Sequence, residues 1–374
     1  MKILIIRFSS IGDIVLTTPV IRCLKLQLNA EIHYLTKPNF ASILNTNPYI
    51  DKLHVLDKSL IKKAKELQSE NFDFVIDLHN NIRTLILKKT LGVAAYSFPK
   101  LNFEKWLLVN FKTNKMPNIH IVERYFKPAQ NLGIINDNKG LDYFLPTDFS
   151  FDYPLDLNQP FIAWAIGAQH FTKRFPVHKI IEICNKISLP ICLLGGKEDA
   201  ANGEEIAKQT NGNVVNLCGK LSLHQSAFVV KNSSLLITND TGLMHIGAAY
   251  QKRIISLWGN TTPLLGMNPY YGNNEVKQAL FENKHLSCRP CSKIGFQSCP
   301  KKHFKCMEDL DVQSIEEEIR LMIGGVIDLV SKELSRQNLI KTVELSEKHG
   351  LSEMTMEEIT NEVKAVRNDA KNRN

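Results

Sequence analysis

The sequence lacks the long hydrophobic runs that membrane-spanning segments need. Hydrophobic residues make up 44% of the chain, but no stretch approaches the roughly 20 apolar residues of a transmembrane helix. The start does not resemble a signal peptide either, because the apolar run Ile3 to Ile6 ends at Arg7. We therefore expect a cytoplasmic protein.

Several binding motifs are also missing. The first loop carries no G-x-G-x-x-G, so a dinucleotide fingerprint is not supported there. No helix-turn-helix, zinc-finger or RNA-binding signature is present, which argues against a nucleic-acid partner. No D-x-D motif lies near the stretches discussed below, so we predict no metal requirement for catalysis.

Acidic residues are nearly absent from two stretches, although the net charge is only +8. Residues 83–115 contain seven Lys or Arg and a single acid, Glu104, and residues 284–305 contain six Lys or Arg and no acid. Such runs attract phosphate on a charged substrate or on an anionic membrane. An ordinary solvated basic surface is the alternative.

The order of apolar patterns predicts an α/β protein. Short β-rich runs alternate with amphipathic segments over residues 2–78, where one helix is expected from Asp13 to Leu28, and again over residues 161–259. This alternation indicates parallel sheets flanked by helices, and the length of 374 residues suits two domains. We predict two Rossmann-like domains facing each other across a cleft. The predicted segments are an N-terminal domain at 1–150, a Pro- and Asp-rich linker, a C-terminal domain at 158–310, a packed helix at 311–336 and a charged tail at 337–374.

The stretch RFSSIGDIV joins the first strand to the first helix. Such a loop lies at the carboxyl edge of the sheet, where open α/β sheets bind ligands. Ser9, Ser10 and Gly12 let the backbone come close to a ligand. Asp13 has two interpretations: a helix cap that stabilises by about 0.5–2 kcal/mol, or a carboxylate that takes part in chemistry.

The stretch SLLITNDTGLMHIGAAY predicts a buried strand followed by a helix. Asp240, Thr241 and Gly242 lie at the start of this helix, and His245 lies one turn into it. The free amide groups and positive dipole end of a helix N-terminus bind phosphate. An aspartic protease also uses D-T-G, but between strands and without this helix, so that interpretation fails.

A third carboxyl-edge loop is GAQHFTKRFP, after the first strand of the second domain. Lys173 and Arg174 precede Pro176, which is expected at the first turn of the next helix. Lys173 is either a counter-charge for a diphosphate or a solvated surface cation.

Together these stretches resemble the bacterial ADP-heptose:lipopolysaccharide heptosyltransferases. The block NDTGLMHIGAAYQKRIISLWGNTTP is the most specific part, and the resemblance runs from Met1 to about Leu310. It implies the glycosyltransferase-B fold, a nucleotide-sugar donor in the C-terminal domain and inversion at the sugar carbon. It implies no cofactor beyond the donor.

The resemblance also assigns roles to individual residues. Asp13 matches the general base, and Lys173 matches the lysine that offsets charge on the leaving diphosphate. Arg83, in DLHNNIRT, is expected on the side of the cleft that binds the acceptor. The donor contacts that it implies are Ser10, Gly12, Lys173, Glu198, Asp240, Thr241, Gly242 and His245. The implied partners are ADP-heptose, a lipopolysaccharide core or Kdo–lipid A acceptor, and the anionic inner leaflet as a peripheral contact.

Four of the eight cysteines cluster late in the chain. They are Cys288, Cys291, Cys299 and Cys306. Their number suits a structural zinc site, but the gap between the second and third is shorter than in zinc ribbons, so reduced structural thiols are the alternative. A similar segment occurs in heptosyltransferases of the second-heptose type, which favours that branch. The other four cysteines lie in apolar contexts and are expected in the core.

Three other functions stay open from the residues. One is a glycosyltransferase that uses another nucleotide sugar, and the second is a nucleotide-sugar epimerase of the same fold. The third is a non-catalytic carbohydrate- or metal-binding protein. Release of ADP from ADP-heptose, with and without an acceptor, distinguishes these possibilities.

Overall fold

The computed structural model describes residues 1–57, 59–151 and 159–324. Its N-terminal half contains a five-stranded parallel sheet with the order β3-β2-β1-β4-β5. The strands are β1 (Lys2–Ile6), β2 (Glu31–Thr36), β3 (Lys52–Val55), β4 (Phe74–Asp77) and β5 (Ala94–Ser97). The helices are α1 (Ile11–Val15), α2 (Thr18–Leu28), α3 (Leu60–Gln68), α4 (Ile82–Leu91), α5 (Asn102–Phe111) and α6 (Ile121–Gln130).

The C-terminal half contains a second parallel sheet, with six strands in the order β11-β10-β9-β6-β7-β8. The strands are β6 (Ile162–Ala165), β7 (Ile191–Leu194), β8 (Val214–Asn216), β9 (Leu235–Asn239), β10 (Ile254–Trp258) and β11 (Gln278–Glu282). The helices are α7 (Val177–Lys186), α8 (Ala200–Lys208), α9 (Leu223–Asn232), α10 (Gly242–Ala249) and α11 (Lys305–Glu308), followed by helical residues 312–324.

The central strands are buried and mostly apolar, as expected for parallel sheets that are covered on both faces. Ile3 to Ile6 of β1 and all five residues of β9 are buried. One hydrophobic core joins residues from both sheets, and Met1–Met322 forms a single compact unit. The carboxyl edges of the two sheets therefore belong to one packed body.

The predicted helix from Asp13 to Leu28 is two helices in the structure. It is broken between α1 and α2, and Pro19 lies in the first turn of α2. Proline lacks the amide hydrogen that a continuous helix would need at this position. The prediction of one continuous helix was wrong.

Some predicted features lie outside the described residues. Residues 152–158 are the middle part of the predicted linker, and residues 325–374 include the predicted tail and the end of the C-terminal helix. The domain boundaries stay predictions. The cysteines expected in the core, Cys23, Cys184, Cys192 and Cys218, are buried as predicted. No described helix is long and apolar enough to cross a bilayer.

Candidate active site between the two sheets

Asp13 lies in α1, directly after the carboxyl edge of the N-terminal sheet, and several polar groups hold its side chain. Oδ1 is 2.7 Å from Arg7 Nη2, and the Tyr125 hydroxyl donates to the same oxygen at 3.4 Å. The backbone N–H and the hydroxyl of Ser10 donate to Oδ2 at 3.2 and 2.9 Å. The contact with the Ser10 amide is also that of a helix cap, so the capping and chemical interpretations of Asp13 are compatible.

The surroundings of Asp13 keep it ionised. Burial alone would raise the pKa of this carboxyl, but the charge of Arg7 and the hydrogen bonds from Ser10 outweigh burial and lower the pKa below its usual value. Arg7 is itself held by the carbonyl oxygens of Ser9 and Leu78, at 2.7 and 2.6 Å. A carboxyl with a lowered pKa is unprotonated at neutral pH, which is the form that a general base needs.

Two glycines let α1 and α10 pack directly against each other. A Cβ atom on Gly12 would lie 2.5 Å from His245 Cδ2, and one on Gly242 would lie 2.7 Å from Ile11 Cγ2. Neither distance is sterically allowed, so both positions require glycine for this close approach. Gly12 therefore packs against His245, and this contact brings the loop of Asp13 beside the D-T-G block.

His245 is buried in this contact and uncharged. Its exposed fraction is 2%, and its Nδ1 has no hydrogen-bond partner among the described residues. Burial lowers the pKa of His245 to about 4, although the charges of Asp240 and Asp13 favour protonation. The ring therefore fills space between the helices as a neutral group.

Lys173 and Asp240 form an ion pair at the carboxyl edge of the second sheet. Lys173 Nζ is 2.6 Å from Asp240 Oδ2, and Thr261 donates to the same oxygen at 2.9 Å. Thr241 is the N-cap of α10, and Gly242 is its first residue. The structure therefore brings Lys173 together with the D-T-G block, and the first amides of α10 have no acceptor within the helix.

Glu198 stands apart from this group, and its neighbour Asp199 has a structural role. Glu198 is exposed, in a short 3-10 turn. Asp199 is buried, accepts a hydrogen bond from the Gly196 amide at 2.9 Å and pairs with Arg174 at 3.3 Å. Burial raises the pKa of Asp199. Its carboxylate ties the loop of Lys173 and Arg174 to the loop after β7.

Arg83 lies on the exposed side of α4, where it lines a cavity of about 680 Å³. Other cations line the same cavity, namely Lys37, Lys62 and Lys63. Among the described contacts, none links Arg83 to Asp13 or Lys173. The predicted acceptor residue therefore belongs to a separate basic cavity of the N-terminal half.

The four clustered cysteines are less closely grouped than three other side chains of metal-ligand types. Among the described residues, only His33, His54 and Glu70 form a group of three or more donors whose atoms lie within 4.8 Å of one another. Cys288 Sγ instead lies 3.8 Å from His303 Nε2. The possible four-cysteine zinc site stays a prediction, and the His33 group has no sequence motif that predicts it.

The cysteine segment, residues 283–306, holds the loops of the site in place. Thr172, next to Lys173, accepts a hydrogen bond from the Phe296 amide at 2.8 Å. Arg289 donates to the Thr261 carbonyl at 2.6 Å and pairs with Glu282 at 2.7 Å. Sequence reasoning assigned no role to Arg289, Thr261 or Arg7. Arg7 had a signal as a charge that ends a buried strand, and Thr261 had one because it lies in the block that resembles the family most specifically.

Comparison with known protein families assigns this chain to a family of enzymes. The model of glycosyltransferase family 9 (heptosyltransferase) matches residues 60–297, which is more than half of the chain. The chain belongs to this family. The predicted resemblance to heptosyltransferases is therefore confirmed.

Relatives of family 9 match most of the chain. Lipopolysaccharide heptosyltransferase 1 of Campylobacter coli is 27% identical over 291 residues, which cover 70% of this chain and 84% of that protein. Lipooligosaccharide heptosyltransferase 2 of Campylobacter jejuni is 25% identical over 333 residues, or 86% of this chain and 98% of that protein. Because both types occur among the relatives, they do not distinguish a first-heptose from a second-heptose enzyme.

Solved family 9 structures share the fold. A family 9 glycosyltransferase from Veillonella parvula superposes with a TM-score of 0.70 at 22% identity, covering 86% of this chain and 97% of that chain. An Escherichia coli heptosyltransferase with ADP-2-deoxy-2-fluoro heptose gives 0.61 at 19% identity, covering 86% and 99%. The fold is therefore the predicted glycosyltransferase-B arrangement, and the protein is a glycosyltransferase of the heptosyltransferase family.

Proposed function

We propose that this heptosyltransferase moves a heptose from ADP-heptose to the inner core of lipopolysaccharide, with inversion at the anomeric carbon. Asp13 takes the proton from an acceptor hydroxyl, whose oxygen attacks the anomeric carbon. The bond from that carbon to the diphosphate breaks, and ADP leaves. The observation that carries the proposal is an ionised Asp13 on a helix packed directly against the D-T-G helix of a family 9 chain.

The donor is proposed to bind at the start of α10. Lys173 is within reach of this helix start through its 2.6 Å ion pair with Asp240. When a diphosphate arrives, Lys173 exchanges part of this contact for phosphate oxygens, and the amides at Thr241 and Gly242 donate to them. These groups stabilise the charge that develops on departing ADP, so no metal ion is needed in this scheme. The neutral His245 and the loop of Glu198 complete the proposed donor site.

The acceptor is proposed to be anionic because two lysines without carboxylate partners, Lys100 and Lys105, lie within electrostatic range of Asp13. Among the described residues, Lys100, Lys105 and Arg124 form no ion pair, and Arg124 is 1% exposed with two of its nitrogens unbonded. Burial, together with the charges of Arg124 and Lys293, lowers the pKa of Lys105 to about 8. Such crowded positive groups are stabilised by a ligand that carries phosphate or carboxylate. Arg83 is proposed as a separate contact of the acceptor, because it lies in another cavity that Lys37, Lys62 and Lys63 also line.

The test measures ADP release and product mass with the purified chain. ADP-heptose is supplied with Kdo–lipid A, with Kdo–lipid A that already carries one heptose, and without an acceptor. Acceptor-dependent ADP release with a product heavier by one heptose supports the proposal, and the preferred acceptor assigns the branch. Turnover of another nucleotide sugar alone, an epimerised donor without transfer, or no turnover at all contradicts it.

A further inference from the structure

Two histidines on neighbouring strands of the N-terminal sheet are in direct contact. His33 lies in β2 and His54 in β3, and the parallel register pairs His54 with Leu35, so both rings lie on the same face of the sheet. His33 Nδ1 is 2.9 Å from His54 Nε2. Glu70, between α3 and β4, places its Oε2 3.9 Å from His33 Nδ1. Three side chains of metal-ligand types therefore converge on one point of the sheet.

A carboxylate behind His33 fixes the orientation of its ring. Glu31 Oε1 is 2.8 Å from His33 Nε2. Because an ionised carboxylate only accepts hydrogen bonds, a neutral His33 carries its hydrogen on Nε2 and keeps the lone pair of Nδ1 on the side of His54 and Glu70. Metal-ligating histidines are almost always held in this way, with one nitrogen on a hydrogen-bond acceptor and the other on the ion. Phe72 packs edge-on against both rings, with centroids 5.2 and 6.4 Å away.

Two lysines balance the charge of the carboxylates. Lys52 Nζ is 2.5 Å from Glu70 Oε1, and Lys2 Nζ is 3.2 Å from Glu31 and 3.6 Å from Glu70 Oε2. These lysines compete with a metal ion for Glu70. The side chain of Lys52 is 54% exposed, so it can turn into solvent when an ion arrives. We therefore expect a site that gains and loses its ion readily.

We propose that His33, His54 and Glu70 bind a zinc ion. Imidazole nitrogens with a carboxylate oxygen are a ligand set that suits Zn²⁺. Two nitrogens bound to one tetrahedral zinc ion lie about 3.3–3.4 Å apart, so the two rings need to separate by only a few tenths of an ångström. His54 and Glu70 are partly exposed, which gives the ion a path of entry and leaves room for a water molecule as the fourth ligand.

This site is separate from the groups assigned to transfer. Glu31 begins β2 and Glu70 precedes β4, so the cluster lies towards the amino ends of the strands, whereas Asp13 follows the carboxyl end of β1. A zinc ion here joins β2, β3 and the segment after α3. Its effect is to stabilise the folded N-terminal half, because an ion that binds the folded state raises the melting temperature. The proposal does not depend on the proposed function.

The first test adds Zn²⁺ to the full-length chain after chelator treatment. We expect calorimetric binding of zinc and a rise in the melting temperature with zinc. His54→Gln and Glu70→Gln should each lower the zinc affinity at least tenfold and remove most of that rise. Both positions are partly exposed, so each variant should fold without metal, which circular dichroism checks. Equal zinc affinity in the wild type and in both folded variants overturns the proposal.

Cobalt distinguishes this site from the four clustered cysteines. Co²⁺ bound by thiolates gives an intense charge-transfer band in the near ultraviolet, whereas Co²⁺ bound by nitrogen and oxygen gives only weak visible bands. Visible bands that disappear in His54→Gln and persist in the Cys288→Ser and Cys291→Ser double variant support the proposal. Thiolate absorption alone, or visible bands that persist in His54→Gln, overturns it.

Three further variants test the surroundings of the ion. Glu31→Gln removes no ligand but should lower the zinc affinity about 10–100-fold, as loss of an outer partner of a ligating histidine does. Lys52→Ala removes a competing cation and should raise the affinity about two- to fivefold. His178→Gln is the matched control, because this exposed histidine also faces a carboxylate, that of Glu308, at 3.3 Å. Zinc affinity that changes in His178→Gln but in neither of the other two contradicts the assigned ligands.

Discussion

Replacement of Asp13 by asparagine separates its two interpretations. Asparagine has nearly the same shape, and its side-chain oxygen can still accept the hydrogen bond from the Ser10 amide, which lies 3.2 Å away. It cannot accept the acceptor proton as a carboxylate does. The loss of a general base should lower kcat by about 10²–10⁴-fold, which corresponds to about 2.7–5.4 kcal/mol of transition-state stabilisation.

The expected loss of stability is too small to cause such a decrease in kcat. The substitution removes the charged partner that lies 2.7 Å from Arg7, but Arg7 keeps its contacts with the Ser9 and Leu78 carbonyls. The lost charge-assisted contact should lower the free energy of unfolding by about 1.5–3 kcal/mol. A domain that begins with at least 5 kcal/mol retains about 2 kcal/mol, so only about 3% of the molecules are unfolded.

The assay compares kcat at saturating donor and acceptor with the dissociation constant for ADP. We expect kcat to fall and ADP affinity to stay within about twofold, because Asp13 acts on the acceptor proton. Asp51→Asn is a matched control, since Asp51 also pairs with a cation, Lys25, at 2.7 Å but lies far along the chain from the proposed site residues. If Asp13→Asn retains more than about a tenth of the wild-type kcat, Asp13 is a helix cap and the proposed mechanism is wrong.

Four further predictions follow from the same contacts. Lys173→Ala should weaken ADP binding and lower kcat through the loss of a contact of about 1.5–3 kcal/mol, and unchanged calorimetric affinity and rate would place Lys173 outside the donor site. Activity should survive EDTA, and a loss that Mg²⁺ restores would contradict the metal-free scheme. His245 has a pKa of about 4, below the ordinary value of 6.5, so the unfolded chain binds more protons in this range and stability should fall as the pH drops from about 6.5 towards 4. His245→Gln should show a smaller decrease of melting temperature over that window than the wild type, and an equal decrease would exclude this histidine as the cause. The Cys288→Ser and Cys291→Ser double variant should lower the melting temperature more than kcat, and elemental analysis of protein purified without chelators should find less than one zinc per chain.

Strands were the most predictable part of the fold. Buried parallel strands are nearly continuous apolar runs, so β1, β4, β9 and β10 can be recognised from sequence. The edge strand β11 is only partly buried, and its sequence QALFE has no such run. Helix α5 was also missed, because its three large aromatic residues are exposed and only Leu108 is buried, so the periodic pattern of a packed helix is absent.

The site was predictable where a motif sits in a βα loop and unpredictable where it depends on distant partners. Asp13, Lys173 and the D-T-G block all lie at carboxyl edges, as their positions after strands predicted. The pairing of Arg7 with Asp13 is short-range, but that of Arg289 with the Thr261 carbonyl depends on how the cysteine segment folds over β10. The packing of Gly12 against His245 could not be predicted from the sequence, because it depends on how the two sheets are placed relative to each other.

That packing links two parts of the gene that are far apart. Since a methyl group on Gly12 would collide with the ring at position 245, a Gly12→Ala allele can be tolerated only together with a smaller residue there. The same reasoning couples Gly242 to Ile11. Substitutions in these two loops should therefore appear in pairs when active variants are selected from a library. Variants with a single change at either glycine should be absent from the selected set.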